Sequence, residues 1–157
     1  MNIEVIRTND SKLISNLLQI YLSDVCNYFQ MDMDQETGLY LYDDTSKYFE
    51  NNNTDFAYII KCDDKIAGFS LIDFVEDSFV VQEMFVLNEY KGKGIGENAI
   101  TKIFDMHKGN WIIKSLPGSP KAENFWDKTV SKYTNNKFEI DHIGKYNRAV
   151  FTFNNSK

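Results

Sequence analysis

Six residues, Lys91-Gly92-Lys93-Gly94-Ile95-Gly96, restrict this chain more than any others. They follow a strand-like apolar run, Val80-Val81-Gln82-Glu83-Met84-Phe85-Val86-Leu87, and they open a helix-like stretch. In that stretch Ile95, Ala99, Ile100, Ile103 and Phe104 share one face, and Gly109 behind Lys108 marks the stop. Glycine reaches positive φ without steric penalty and lets a ligand come close to the backbone. Three glycines within five residues leave N–H groups bare at the start of the helix. That end carries about half a positive charge. Such an end accepts phosphate, and Lys91 and Lys93 add charge on either side. The plainer alternative is a turn that only joins strand to helix.

Two familiar phosphate loops do not fit. A P-loop needs G-x-x-x-x-G-K-[S/T], which this sequence lacks. The dinucleotide fingerprint needs G-x-G-x-x-G in a parallel β-α-β unit. Here the run is G-x-G-x-G, preceded by what reads as antiparallel hairpins.

The loop resembles the acyl-CoA pyrophosphate loop of the GNAT N-acetyltransferases, [Arg/Gln]-x-x-Gly-x-[Gly/Ala]. Lys91 stands at the Arg/Gln position, and Gly94 and Gly96 match. Farther on, Ser119-Pro120-Lys121-Ala122-Glu123-Asn124-Phe125-Trp126 resembles the family's Asn-Pro-x-Ala-x-x-Phe-Trp/Tyr helix. The resemblance covers most of the chain from about residue 56. Residues 17–25 and 67–74 look more loosely like a poorly characterised bacterial branch of predicted acetyltransferases. The fold implied is a mixed α/β domain: a central, mostly antiparallel sheet with one splayed parallel pair, and helices on both faces.

Length supports one domain, since 157 residues can bury a real core. The net charge of −6 argues against general nucleic-acid binding, which depends on neutralising phosphates. It mildly favours a cationic, amine-bearing acceptor, or it simply aids solubility. Two cysteines, Cys26 and Cys62, make neither a disulfide framework nor a zinc site. His107 and His142 lack a second ligand at helix or strand spacing, so no metal is expected. Without a leader-like start or a long apolar run, the reading is a cytoplasmic protein with no membrane segment.

Residues 2–7 read as a strand. Asn9 or Asp10 caps a helix whose stripe is Leu13, Ile14, Leu17, Leu18, Tyr21, Leu22 and Val25. The stretch 27–53 is the hardest; it mixes Tyr40, Tyr42 and Tyr48 with acids, and residues 45–50 suit a short second helix. It is either an aromatic, acidic mouth for an amine or a solvated loop anchored by its aromatics. Strands are expected at 56–62 and 65–74, joined at Asp63-Asp64. Gly68 signals a bulge or a close backbone contact. Residues 79–87 form the next strand. A buried strand at 110–116 follows the crossover helix and should lie parallel to 79–87. Ser119 and Pro120 open the last helix, with Ala122, Phe125, Trp126, Val130 and Tyr133 inward. A hairpin of 138–143 and 146–153 closes the chain.

The resemblance implies direct attack of an acceptor amine on the thioester of acetyl-CoA, with no covalent enzyme intermediate. Cofactor-binding residues would be Phe85 and Val86 for the pantetheine, and Lys91, Gly92, Lys93, Gly94, Ile95 and Gly96 for the pyrophosphate. Ser119, Ala122, Phe125 and Trp126 would belong to the same surface. Glu83 is the candidate base: alternation puts its carboxylate on the otherwise apolar face of Val81 and Phe85, where burial raises its pKa. A bulge would instead turn it to solvent or to a cationic partner. Tyr21, Asp24 and Tyr40 are acceptor-side candidates, and Tyr21, Asp24 or water is the fallback base. The family's sulfur-protonating Tyr falls at Trp126, an indole with no useful acidic proton. Tyr133, two turns on, is its substitute. The expected function is acetyl transfer to a primary amine of a small molecule. Alternatives are a protein N-acetyltransferase or a non-catalytic acyl-CoA sensor, and edge strands leave room for a homodimer.

Overall fold

The computed structural model describes residues 1–29 and 31–156; residue 30, inside the 27–53 stretch, and residue 157 lie outside the described residues. Among the described residues seven strands form one sheet in the order β1-β2-β3-β4-β5-β7-β6. They are β1 (Ile3–Arg7), β2 (Asp55–Cys62), β3 (Lys65–Val75), β4 (Ser78–Val86), β5 (Asn110–Lys114), β6 (Glu139–Ile143) and β7 (Arg148–Asn154). The helices are α1 (Ser11–Val25), α2 (Ile95–Met106) and α3 (Pro120–Thr134). The short helix expected near residue 45 is a single 3-10 turn, Ser46–Phe49. No helix among the described residues is long and apolar enough to cross a membrane.

Every neighbouring pair is antiparallel except β4 and β5. That pair is parallel because α2 carries the chain back across the sheet. The two strands pair only from Ser78/Asn110 to Val80/Ile112. Beyond that point β4 continues to Val86 with no β5 partner, so the strands splay into a V. The tight hairpins are built on consecutive acids at positive φ, Asp63-Asp64 (50° and 67°) and Glu76-Asp77 (50° and 65°). That geometry matches the right-handed strand twist.

Each face of the sheet has its own helices. α1 covers one side, packing Ile14, Leu17, Leu18 and Leu22 on Ala57, Ile59, Phe69, Leu71 and Phe85. On the other side, Ile100, Ile103 and Phe104 of α2 and Trp126 and Val130 of α3 pack on Trp111, Ile113 and Phe151. Asp10 is the N-cap of α1, its carboxylate accepting from the Leu13 N–H at 3.0 Å. Ser119 caps α3 by accepting from the Ala122 N–H at 3.1 Å. Each such cap contributes about 1 kcal/mol.

Gly68 combines both features expected of it. A register shift lies beside it in the β2–β3 pair, between Ile60 and Lys61. A Cβ at Gly68 would sit 2.0 Å from the carbonyl oxygen of Phe85. Only glycine therefore lets β3 approach the end of β4. The last hairpin starts later than its sequence pattern indicates: a loop over residues 144–147 delays β7 to Arg148, with Gly144 and Asn147 at φ 75° and 54°.

Candidate active site

The site is assembled where β4 and β5 part. A second register shift, in the β3–β4 pair, sets Leu71 opposite Glu83 but Ile72 opposite Val81, so Gln82 is unmatched. An extra residue reverses strand alternation. Val81 consequently faces α2 and α3, while Phe85 lies in the cluster under α1. The expected face shared by Glu83, Val81 and Phe85 is corrected to Glu83 and Phe85 alone. The bulge does redirect Glu83, yet neither to solvent nor into an ion pair. It turns Glu83 toward two phenols.

Tyr21 of α1 donates its hydroxyl to Glu83 Oε1 at 2.9 Å, and Tyr42 donates to Oε2 at 2.6 Å. The main chain is pinned as well: Ser70, fully buried, donates its hydroxyl to the Glu83 carbonyl at 2.7 Å. Burial pushes the Glu83 carboxyl above its ordinary range, while the two phenolic hydrogen bonds and the nearby Arg148 guanidinium pull it back in part. Both phenols are held well above the usual range, by burial first and the adjacent carboxylate second. They stay protonated at neutral pH. The ring of Tyr21 packs on Phe85 and Phe69, with centroids 5.4 and 6.0 Å away.

Tyr42 reaches this position through a clamp. On α1, Gln19 accepts from the Tyr40 N–H and donates to the Tyr40 carbonyl, each at 2.8 Å. Tyr40 also bridges to Met33, which folds the loop back on itself. Two residues later, Tyr42 turns in to Glu83. Tyr40 thus acts through its main chain, while its ring packs on the α1-side core.

The glycine loop follows the free end of β4, the strand that carries this carboxylate. Gly92 and Gly94 have φ of 77° and 78°, and a Cβ on either would meet nothing within 4 Å. Gly94 is the N-cap of α2, and no side chain caps the helix there. Both other helices are capped, so only α2 starts with its N–H groups free among the described residues. An open, uncapped, left-handed turn fits an anion such as a diphosphate. Gly96 has a different task. A Cβ there would press on the Phe125 ring at 3.2 Å and on Val86 at 3.5 Å, so its small size seats α2 against α3 and β4. Lys91 reaches across the mouth to Asp24 at 2.9 Å and lies 5.4 Å from the Phe85 ring centroid.

Residues 17–129 match the model of the acetyltransferase (GNAT) family. The chain belongs to that family. No curated protein sequence matches it. Among solved structures it is similar to an acetyltransferase from Thermus thermophilus, at TM-score 0.68 and 12% identity, covering 98% of this chain and 97% of that one. It is also similar to the PaiA N-acetyltransferase of Thermoplasma acidophilum in complex with coenzyme A, at TM-score 0.66 and 10% identity over 98% and 99% of the two chains. A third is the ribosomal-protein-S18-alanine N-acetyltransferase of Escherichia coli, at TM-score 0.60 and 12% identity over 99% and 96%. At these identities the likeness concerns the fold.

Within this GNAT domain the structure gathers Glu83, Phe85, Tyr21, Asp24 and Lys91 at one mouth, with Gly92, Lys93, Gly94 and Ile95 at the helix start. Phe125 joins them through Gly96 and Val86. Ser119 spends its oxygen on the α3 cap beside Ala122. Trp126 is 7% exposed and belongs to the core under α2 and α3, which removes it from the open surface. Tyr133 is not brought to Glu83. Its hydroxyl donates to Asp105 at 2.7 Å and accepts from Asn155 at 3.1 Å, and its ring packs on Phe104 and Phe153. Phe153 pairs with Trp111, which pairs with Phe79 at the far end of β4. The stripe on α3 reports burial correctly, but its last turn lies under the opposite end of the sheet. Sequence reasoning missed Tyr42, Gln19 and Arg148, whose placement depends on contacts remote in sequence.

Proposed function

We propose that this protein transfers the acetyl group of acetyl-CoA to the primary amine of a small molecule, with Glu83 as the general base. The bulge-directed carboxylate carries this reading, because it stands half-buried on the lip of the splayed strands, on the strand that leads into an open anion cradle. Acetyl-CoA, when bound, supplies an activated acetyl thioester: the amine nitrogen bonds to the acetyl carbon, the C–S bond breaks, and the sulfur takes a proton. Free N–H groups at the start of α2 and the charges of Lys91 and Lys93 hold the diphosphate. Main-chain groups of Val86, which face away from β3 and which no β5 strand pairs, hold the pantetheine amides. The Phe85 carbonyl points at β3, and Phe85 contributes its ring.

Glu83 removes the proton from the acceptor ammonium. Its raised pKa suits that task better than an ordinary glutamate would. A second proton leaves the nitrogen as the C–S bond breaks. The hydroxyls of Tyr21 and Tyr42 are the proton carriers next to Glu83, through which one proton reaches the sulfur while the other is released to solvent. Tyr133, engaged with Asp105 and Asn155, is left out of this scheme.

A second reading, a protein acceptor, is favoured by one observation. Beyond the V no helix among the described residues covers the α1-side face of β5, β7 and β6, and a groove of about 560 Å³ there is lined by Lys114, Asp141, Ile143, Val150 and Thr152. An extended peptide fits such a face.

The test is thiol release from acetyl-CoA with a panel of amines and peptides. Glu83→Gln should lower kcat/KM by roughly 10²- to 10⁴-fold while acetyl-CoA still binds. Turnover of small amines over peptides supports the first reading, and the reverse order supports the second. Tight acetyl-CoA binding without turnover of either class would leave a sensor.

A further inference from the structure

The splayed strands have two lips, and a guanidinium stands at the second. Arg148 is the first residue of β7. Along β7, Ala149, Phe151 and Phe153 are buried in the core under α2 and α3. Alternation therefore puts Arg148, Val150 and Thr152 on the α1-side face, the same face to which the Gln82 bulge turns Glu83.

The two residues are also level along the strands. The parallel pairing ends at Val80 and Ile112. Glu83 lies three residues past Val80, one of them the unmatched Gln82. Ser115 lies three past Ile112, and its N–H is bonded to the Ala149 carbonyl at 2.9 Å. Arg148 Nε donates to the Ser115 carbonyl at 2.6 Å. Glu83 and Arg148 thus stand on opposite lips of the V at about the same height, and each favours the charged form of the other.

Arg148 is half-buried, and among the described residues it forms no ion pair. Its bond to Ser115 uses Nε, which fixes the plane of the guanidinium and leaves the two terminal nitrogens to act as a fork. Burying a cation without a paired anion is unfavourable, and a planar fork matches a carboxylate by two parallel bonds. A dianion such as phosphate fits the fork too, but it would be repelled more strongly by Glu83.

We propose that the acceptor is an amino-acid-type molecule, whose carboxylate is held by Arg148 while its amino group faces Glu83. This rests on the acetyltransferase reading and adds the acceptor's chemical class. Glu83 and Arg148 together offer one group to each end of a zwitterion. Arg148 sets specificity and takes no part in proton transfer.

The experiment compares free amino acids of each side-chain class with the matching amino-acid amides and aminoalkyl phosphonates, for wild type, Arg148→Gln and Arg148→Lys. Wild type should prefer acid over amide by on the order of tenfold to a hundredfold in kcat/KM, the range of a lost hydrogen bond to a charged group. Phosphonates should fall between the two. In Arg148→Gln the preference should collapse toward unity, and Arg148→Lys should restore part of it. A rise in melting temperature with acetyl-CoA, retained in Arg148→Gln, shows that the variant is folded. Equal use of acids and amides by wild type, or equal loss of both in Arg148→Gln, overturns the proposal and leaves acetyl transfer standing. Should wild type acetylate none of these amines, the melting temperature with acids and amides decides. A carboxylate-dependent rise lost in Arg148→Gln upholds the subsite without the reaction, and no such rise sinks it.

Discussion

Removing the Tyr42 hydroxyl should raise the pKa of Glu83. The hydroxyl donates to Oε2 at 2.6 Å and so favours the charged carboxylate. A hydrogen bond to a charged group is worth about 1.5–3 kcal/mol, and each 1.36 kcal/mol is about one pKa unit. Tyr42→Phe should therefore raise the Glu83 midpoint by roughly one to two units. The ring itself keeps its shape, and Tyr21 still holds Oε1. The assay is a carbon-detected NMR titration of the side-chain carboxyl without acceptor, the signal being assigned by its disappearance in Glu83→Gln. The wild-type midpoint is expected above the ordinary 4.5. Stability supplies a second reading. A carboxyl with a raised folded pKa binds more protons folded than unfolded, so stability falls as pH rises from 4.5 through the folded pKa. Tyr42→Phe should thus be most destabilising near neutral pH and much milder near pH 4. No shift or a downward shift in Tyr42→Phe would refute the placement of this phenol on the carboxylate, and a wild-type midpoint at or below 4.5 would refute burial as the dominant influence on it.

Three further outcomes are expected. Gly94→Ala puts a Cβ into open space but at φ 78°, so it should lower stability by about 1–2 kcal/mol and Tm by a few degrees. It should also weaken acetyl-CoA binding in calorimetry, and unchanged affinity would count against the anion cradle. Gly68→Ala sets a methyl 2.0 Å from the Phe85 carbonyl oxygen. Its loss should exceed the usual 1–3 kcal/mol of overpacking, and a denaturant midpoint near wild type would contradict the β3–β4 approach. His107, with its ring bonded to the Tyr58 hydroxyl at 2.6 Å, has its pKa pushed down to about 4 by burial and, less, by Arg7. The folded state then binds fewer protons, so stability should fall as pH drops from 6.5 toward 4. His107→Phe should flatten that slope in pH-dependent unfolding, and an unchanged slope would exclude His107 as its source.

How far the sequence could be read depended on whether a signal was local. The stripes of α1, α2 and α3 follow from a 3.6-residue period, and Asp10 and Ser119 announced two helix starts by their own side chains. The glycine loop was legible because positive φ is a property of single residues. The parallel placement of β5 followed from the crossover rule. Glu83 was identified by type, as a carboxylate in an apolar run, but its face was misjudged. The unmatched Gln82 exists only because β3 and β4 pair as they do. On α3 the periodic stripe correctly marked Trp126 and Tyr133 as inward. It carried no information on which end of the sheet each turn would cover.

By itself, then, the sequence determined the order of elements, the core faces of the helices and the open turn at Gly92 and Gly94, since each arises from residues within a few positions of one another. The tertiary structure alone decided that Tyr21 and Tyr42 converge on Glu83 and that Arg148 stands on the opposite lip. Those four come from a helix, a loop clamped by Gln19 and two strands, so their placement depends on register and splay. Strand alternation has a period of two, and one unmatched residue is enough to exchange the faces of everything beyond it.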